Sequence, residues 1–287
     1  MNDATNINGY LDFLAALPQH HSPQNSLYTE LKKTAHQDLH TIFGESGKQE
    51  FDLDGVGNIK VPYFKMGAVD SVNLFDLDEL ILFSFYRCNK PKYQNVIDIG
   101  ANIGVHSIIL AKLGCQVTCY EPDPVHFDHL QANIELNGVE TLVTPIKAAI
   151  SDTSETRQFT RILGNTTGSH LTGAKENLYG DLEEFDVAVL DIRSILKDAD
   201  LIKLDAEGEE ARILLATGHD DWVSTDAVVE VGNSHNAELI FEHFQSIGVS
   251  LFSQKENWLE VKELSDMPVS YKEGSLFIST KPKMPWD

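Results

Sequence analysis

Acids at the ends of predicted strands carry most of the chemistry this chain could do. Val96-Ile97-Asp98-Ile99 reads as a short buried strand, Gly100-Ala101-Asn102-Ile103-Gly104 as a tight turn, and Val105 to Leu113 has helical spacing. A strand that runs through a glycine turn into a helix makes a nucleotide-binding device. Gly100 can take backbone angles closed to other residues, and the helix N-terminus beyond it offers unpaired N–H groups. The next strand ends in Tyr120-Glu121-Pro122. That puts Glu121 near the offset of about 20 residues at which a carboxylate grips ribose hydroxyls in a doubly wound sheet. A second acidic group follows later: Leu201, Ile202 and Leu204 mark a strand, Asp205 and Glu207 stand at its mouth, and Gly208 permits a sharp turn. A further strand ends near Glu230, with His235 shortly after. Asp205, Glu207, Glu230 and His235 converge on one rim, where a carboxylate or imidazole could take a proton from a substrate. The plainer reading of each acid is a helix cap or first-turn charge, and Glu209 and Glu210 fit that reading.

The dinucleotide fingerprint G-x-G-x-x-G is absent; the pattern is Asp98-x-Gly100-x-Asn102-x-Gly104. A pyrophosphate needs bare backbone at a helix N-terminus, and Asp98 would repel it. S-adenosylmethionine carries an adenosine, an ammonium, a carboxylate and a sulfonium, and no phosphate. One acid for the amino end, Asp98, and one for the ribose, Glu121, suit that molecule. The alternative is an ordinary α/β turn with a surface acid, but turn, helix and second acid agree in order and spacing.

These groups need a sheet to position them. From residue 95 onward strands and helices alternate, which implies a mostly parallel sheet with ligands beyond the C-terminal strand ends. Strands are expected at about 95–99, 115–120, 141–147, 201–204 and 227–231, with helices at 104–113, 124–137, 209–215 and 237–247. Segments near 249–253 and 275–279 suggest an antiparallel closing hairpin, and 156–163 an extra extended segment. Residues 1–92 read as an N-terminal extension: helical material with Leu11, Leu14 and Leu17 on one face and Leu27, Leu31 and Leu39 on another, a hairpin at 51–66, and an apolar helix at 74–86. No linker marks a boundary between this extension and the domain expected over 93–287. Asp52-x-Asp54-Gly55 resembles the start of a calcium loop, but the remaining ligand positions are missing.

The pattern D-x-G-A-N-x-G with strand-end Glu121-Pro122, Ala148-Ala149-Ile150-Ser151 after the third strand, and Lys203-Leu204-Asp205-Ala206-Glu207-Gly208-Glu209 together resemble the FkbM family of S-adenosylmethionine-dependent O-methyltransferases. The resemblance covers about 95–280. It implies a Rossmann-like class I methyltransferase fold, with a seven-stranded mostly parallel sheet and a closing hairpin. It also implies methylation of hydroxyls on sugars, glycans or secondary metabolites, with S-adenosylhomocysteine as product. By position, Asp98, Gly100, Ala101, Asn102, Gly104, Glu121 and Pro122 would carry the cofactor, and Ala149 and Ser151 would lie near the adenine. Asp205 and Glu207 would line the reaction centre.

An alcohol is too weak an acid to ionise freely near neutrality, so a general base or a metal is needed. Asp205, Glu207, Glu230 and His235 are the candidates, with His170 and the loop Gly164–His170 less favoured. Asp205 and Glu207 could hold Mg2+ through oxygen ligands, but a metal is not the preferred reading. His106 is expected to be packed or near the methionine end, and His20, His21, His126 and His129 at the surface. Lys plus Arg number 22 against 44 Asp plus Glu, a net charge of −22. Such a surface disfavours nucleic acid and anionic membranes. No apolar run of 18 residues is present. The first residues lack the basic and apolar regions of a secretory signal. The cysteines, Cys88, Cys115 and Cys119, are too few for a disulfide framework. A cytoplasmic enzyme acting on a small molecule follows, and a homo-oligomer is compatible with it. Competing readings are a non-catalytic cofactor-binding scaffold, an enzyme acting on a nitrogen or a macromolecule, and, more distantly, an NAD-dependent dehydrogenase. The nitrogen reading is weakened because Leu204-Asp205-Ala206-Glu207-Gly208 stands where an N/D-P-P-Y/F element would be.

Overall fold

The computed structural model describes residues 8–174 and 180–286. Helices α1 (Asn8–Ala16), α2 (Ser26–Phe43) and α3 (Leu77–Asn89) form the extension, with the antiparallel hairpin β1 (Glu50–Leu53) and β2 (Gly57–Lys60) between α2 and α3. Then β3 (Asn95–Ile99), α4 (Val105–Lys112), β4 (Gln116–Tyr120), α5 (Pro124–Asn137) and β5 (Val143–Ile146) alternate as the apolar pattern requires. Gly138, left-handed at φ 63°, ends α5 as its sequence signal demands.

A smaller sheet follows: β6 (Ala149–Ser151), β7 (Glu155–Ile162), β8 (His170–Leu171) and β9 (Leu182–Asp191), ordered β6-β9-β7-β8. Only its β7 is expected from sequence. In β9, acids occupy the exposed positions, so it reads as a polar loop. Antiparallel pairing with β7 makes it a strand, with Arg161 opposite Glu183. The chain closes with β10 (Leu201–Leu204), α6 (Glu210–Leu215), β11 (Asp226–Glu230), α7 (Ser234–Ile247), β12 (Ser250–Ser253), the short β13 (Leu259–Glu260) and β14 (Ser275–Ser279).

The large sheet runs β13-β12-β14-β11-β10-β3-β4-β5. Strands β5, β4, β3, β10 and β11 are parallel, while β14 enters antiparallel between β11 and β12. The expected seven strands are all present, and β13 adds a two-residue edge. This is the class I methyltransferase fold. Alternation along the strands sorts residues to two faces. Val96, Val117, Leu201 and Val228 pack with Leu11, Leu39, Phe83 and Ile108, so the extension shares the core of one face. Ile97, Ile202 and Val229 pack with Ile213, Ile240 and Phe244 on the other. No helix among the described residues is long and apolar enough to cross a membrane.

Candidate functional site

The C-terminal strand ends open into a cavity of about 920 Å3. Its first wall is the turn after β3. Gly100 sits at φ +76°, and a Cβ there would lie 1.8 Å from the Asp205 carbonyl oxygen, so only glycine lets the two strand ends approach. The Gly100 and Ala101 N–H groups both donate to the Tyr120 carbonyl, at 3.0 Å. Glu121 is 5% exposed and accepts from the Asn102 and Asp123 N–H groups, one on each carboxylate oxygen, both at 2.8 Å. Burial pushes its carboxyl from 4.5 up to about 8, against the pull of the Asp123 and Asn102 N–H donors. Each oxygen keeps a further lone pair for a hydroxyl donor.

Gly100, Asn102, Glu121, Pro122 and Ala149 line the cavity, joined by Ile99, Tyr120, Ala148 and Ile150. This set fits a nucleoside: apolar walls for a base, and a carboxylate for the sugar. Ala101 and Gly104 shape the turn from behind. Gly104, at φ +91°, opens α4. Ser151 is placed differently from the expectation. It is fully buried and donates to Glu209 at 2.7 Å, so it serves the junction between the two sheets rather than the adenine wall. Asp98 is also fully buried, outside the cavity lining, with Oδ2 accepting from Ser107 Oγ at 2.6 Å. Its Oδ1 has no hydrogen-bond partner among the described residues.

The second wall is the acidic cluster. Asp205, Glu207 and Glu230 all line the cavity. Glu207 at φ 50° and Gly208 at φ 111° make the sharp turn out of β10. Lys203 lies beneath, its Nζ 3.4 Å from both Asp205 Oδ2 and the Gly100 carbonyl oxygen. Burial would lower the pKa of this ammonium, but the charges of Asp205, Asp98, Glu79 and Glu230 prevail and raise it, so it stays charged. Burial, followed by the charges of Asp205, Glu207 and Glu79, raises the Glu230 carboxyl well above the usual range. Displaced carboxyls in a cleft are a common feature of sites that handle protons.

His235 departs from the expected cluster. Asn233 caps α7 by accepting from the Asn236 N–H at 2.8 Å, so the helix starts at Ser234 rather than Ala237. His235 therefore rides its exposed first turn, outside the cavity lining. Glu210 does more than an ordinary first-turn acid. It accepts from the Ala206 and Gly208 N–H groups at 3.0 Å and from Asn236 Nδ2 at 2.9 Å, fixing the turn that carries Glu207.

Several positions that line the cavity have no clear sequence signal. Tyr28, Lys32, Asp76, Asp78 and Glu79, all from the extension, line the cavity, as do Tyr271 and Lys272 from the chain between β13 and β14. Asp78 accepts from Tyr28 OH at 2.6 Å and Lys32 Nζ at 2.9 Å. The acids at the start of α3 look like helix-dipole charges in sequence. Lys203 did leave a trace, as a lone charge inside an apolar strand. Among the histidines expected at the surface, two are buried. His126 lines the cavity with Nε2 2.9 Å from Thr166 Oγ1, and burial lowers it to about 4. His21 packs in the core, with Nδ1 accepting from Trp258 Nε1 at 2.9 Å. His170 is buried and borders the cavity with the loop residues Asn165–Ser169. Among the described residues, no group of three or more His, Cys, Asp or Glu is arranged to hold a metal ion.

Over 168 residues the chain is 25% identical to Methyltransferase sdnD of Sordaria araneosa, covering 47% of this chain and 64% of that protein. It thus spans less than two thirds of that curated relative. Among solved structures, methyltransferase FkbM from Methylobacillus flagellatus KT is 13% identical, with 89% of this chain and 61% of that chain covered and a TM-score of 0.41. The O-methyltransferase from Bacillus cereus in complex with SAH is 12% identical, with 68% and 78% covered and a TM-score of 0.36. The METTL16 MTase domain is 13% identical, with 98% and 96% covered and a TM-score of 0.45. The family model for the methyltransferase FkbM domain matches residues 98–260, from Asp98 beside the glycine turn, through both acidic clusters, to the edge strand β13. That match takes in more than half of the chain, and the chain belongs to the FkbM methyltransferase domain family.

Proposed function

We propose that this protein is an S-adenosylmethionine-dependent methyltransferase that methylates a hydroxyl of a small polyhydroxylated acceptor, a sugar, glycan or hydroxylated secondary metabolite. The observation that carries the acceptor half is the convergence of Asp205, Glu207 and Glu230 on one end of a cavity whose other end fits a nucleoside. At about 920 Å3 the cavity sits near the top of the range for small-molecule pockets, roughly 300–1,000 Å3, which leaves room for an acceptor beside a cofactor. Family membership supports the methyl-transfer half.

When bound, the cofactor supplies an electrophilic methyl carbon on a sulfonium. Glu121 and the turn Gly100–Gly104 hold the nucleoside. Lys203 ties Asp205 to the turn through the Gly100 carbonyl, fixing the distance between cofactor and acceptor ends. Alignment of this kind supplies much of the rate in a bimolecular transfer. Asp205, Glu207 and Glu230 orient the acceptor hydroxyls, and a carboxylate on the cavity wall takes up the proton that the reacting oxygen gives away. Burial and the neighbouring carboxylates favour the protonated form of Glu230, which can then donate a hydrogen bond to the acceptor, while Asp205 offers it an acceptor oxygen. The acidic cavity and the net charge of −22 favour a neutral or cationic small molecule over nucleic acid.

Purified protein incubated with labelled S-adenosylmethionine and a panel of hydroxylated metabolites, sugars and amines tests the reading, with products identified by mass spectrometry and NMR. A methyl ether is expected. A methyl group found only on nitrogen, or no binding of S-adenosylmethionine by calorimetry, would overturn it.

A further inference from the structure

Helix α3 of the extension lies on the face of the sheet that carries Asp98, Lys203 and Glu230. Its first turn brings Glu79 to the cavity wall. The charge of Glu79 acts on both Lys203 and Glu230, which places it among the acceptor-side acids. Behind it stands a chain of buried groups. Glu79 Oε2 is 2.8 Å from His106 Nε2, and His106 Nδ1 is 3.0 Å from Tyr86 OH. Tyr86 is one helical heptad along α3 from Glu79, and His106 belongs to the first turn of α4, directly after the cofactor turn.

We propose that Glu79 is a catalytic residue of the methyl transfer, the carboxylate that receives the acceptor proton, and that His106 is its positioning residue. This rests on the reading of the cavity as a methyl-transfer site. Burial and the charges of Asp98 and Glu79 keep the Tyr86 phenol protonated, so Tyr86 donates to His106 Nδ1. The ring proton then sits on Nε2 and is donated to Glu79, which fixes one carboxylate oxygen and leaves the other for the acceptor. Asp205 is engaged by Lys203 at 3.4 Å, and burial with the charges of Asp205, Glu207 and Glu79 disfavours the ionised form of Glu230, whereas Glu79 is held at one oxygen by His106. In the step itself, the acceptor O–H proton passes to Glu79 as the oxygen lone pair bonds to the methyl carbon. The C–S bond breaks with its electron pair left on sulfur, and Glu79 afterwards returns the proton to water.

The experiment compares wild type with Glu79→Gln, Glu79→Asp and His106→Asn. It measures the single-turnover rate at saturating S-adenosylmethionine over a range of pH with the acceptor panel, together with cofactor affinity and melting temperature. Glu79→Gln is expected to slow transfer by about 100-fold or more, within the usual reach of general-base catalysis. Its cofactor affinity and folding should stay near wild type, and Glu79→Asp should restore part of the rate. His106→Asn should cost about tenfold in the single-turnover rate at saturating acceptor while leaving acceptor KM and cofactor affinity near wild type, because the ring N–H that orients the carboxylate is lost. A folded Glu79→Gln variant with wild-type rate overturns the proposal and leaves hydroxyl methylation standing. Transfer to nitrogen alone overturns hydroxyl methylation, while the Glu79→Gln rate on that acceptor still decides the role of Glu79. A wild type that methylates no class of acceptor overturns both.

Discussion

The two ends of the cavity are built in opposite ways. The cofactor end is made of short local segments, the turn 100–104, Glu121-Pro122 and Ala148–Ile150, and is held by main-chain hydrogen bonds to Tyr120 and by the carboxylate of Glu121. The acceptor end is assembled from side chains that are far apart in sequence: Tyr28 and Lys32 of α2, Glu79 of α3, the loop before β8, Asp205, Glu230 and Tyr271. Main-chain recognition tolerates little change, because a single Cβ at Gly100 would collide with the next strand. A wall of side chains on loops and an added extension can change its specificity without disturbing the sheet. A fixed cofactor and a variable acceptor call for that division.

The strongest test of the division is Gly100→Ala. The added Cβ meets the Asp205 carbonyl at 1.8 Å and the residue keeps φ +76°, so the turn must move. Cofactor affinity by calorimetry should fall by about 100-fold or more, equivalent to roughly 2.7 kcal/mol, and the melting temperature should drop. Near-native affinity would mean that the cofactor end is not fixed by its main chain. At the other end, Asp205→Asn, which removes a carboxylate that orients the acceptor, should reduce turnover by about 100-fold while leaving cofactor affinity within a few-fold. A parallel loss of both would merge the two ends into one unit.

Glu121 sharpens the comparison through pH. Its carboxyl is raised from 4.5 to about 8, so the folded state holds this proton more tightly than the unfolded chain does. The stability it contributes is fully present below about pH 4.5 and is lost as pH rises through about 8. Thermal melts should show stability falling across that window, and Glu121→Gln, which cannot titrate, should flatten the slope. An unchanged slope would assign it to Glu230 or Glu210, whose carboxyls burial also raises. Glu121→Ala should weaken cofactor binding about tenfold, since each lost hydrogen bond is worth about 0.5–1.5 kcal/mol. The smallest effect is expected for His235→Ala. On an exposed helix turn away from the cavity, it should leave turnover and affinity within about twofold, as surface substitutions usually do. A large loss would bring α7 into the acceptor end.

The large sheet was legible because its signals are local. Apolar runs at 95–99 and 201–204, the glycine turn and Asn137-Gly138 each depend on residues close in sequence, and the structure places those elements where the pattern put them. The small sheet was not, since β9 becomes a strand only by pairing with β7 across a long connection, and its exposed acids imitate a loop. The same distinction runs through the site. Asp205, Glu207, Glu230 and Glu121 could be found because strand ends in a parallel sheet share one rim. Ser151 and His235 were misplaced because burial against Arg157 and Glu209, and a helix cap at Asn233, are set by neighbours rather than by spacing.

By itself, the sequence determined the fold class, the cofactor turn and the acids at the strand ends, because short-range periodicity and glycine geometry fix those. Only the tertiary structure decided that the extension forms part of the cavity, that Lys203 sits among four carboxylates, and that Glu79 lines the cavity with His106 behind it. Contacts between residues far apart in the chain arise from packing, and no local pattern in either partner encodes them.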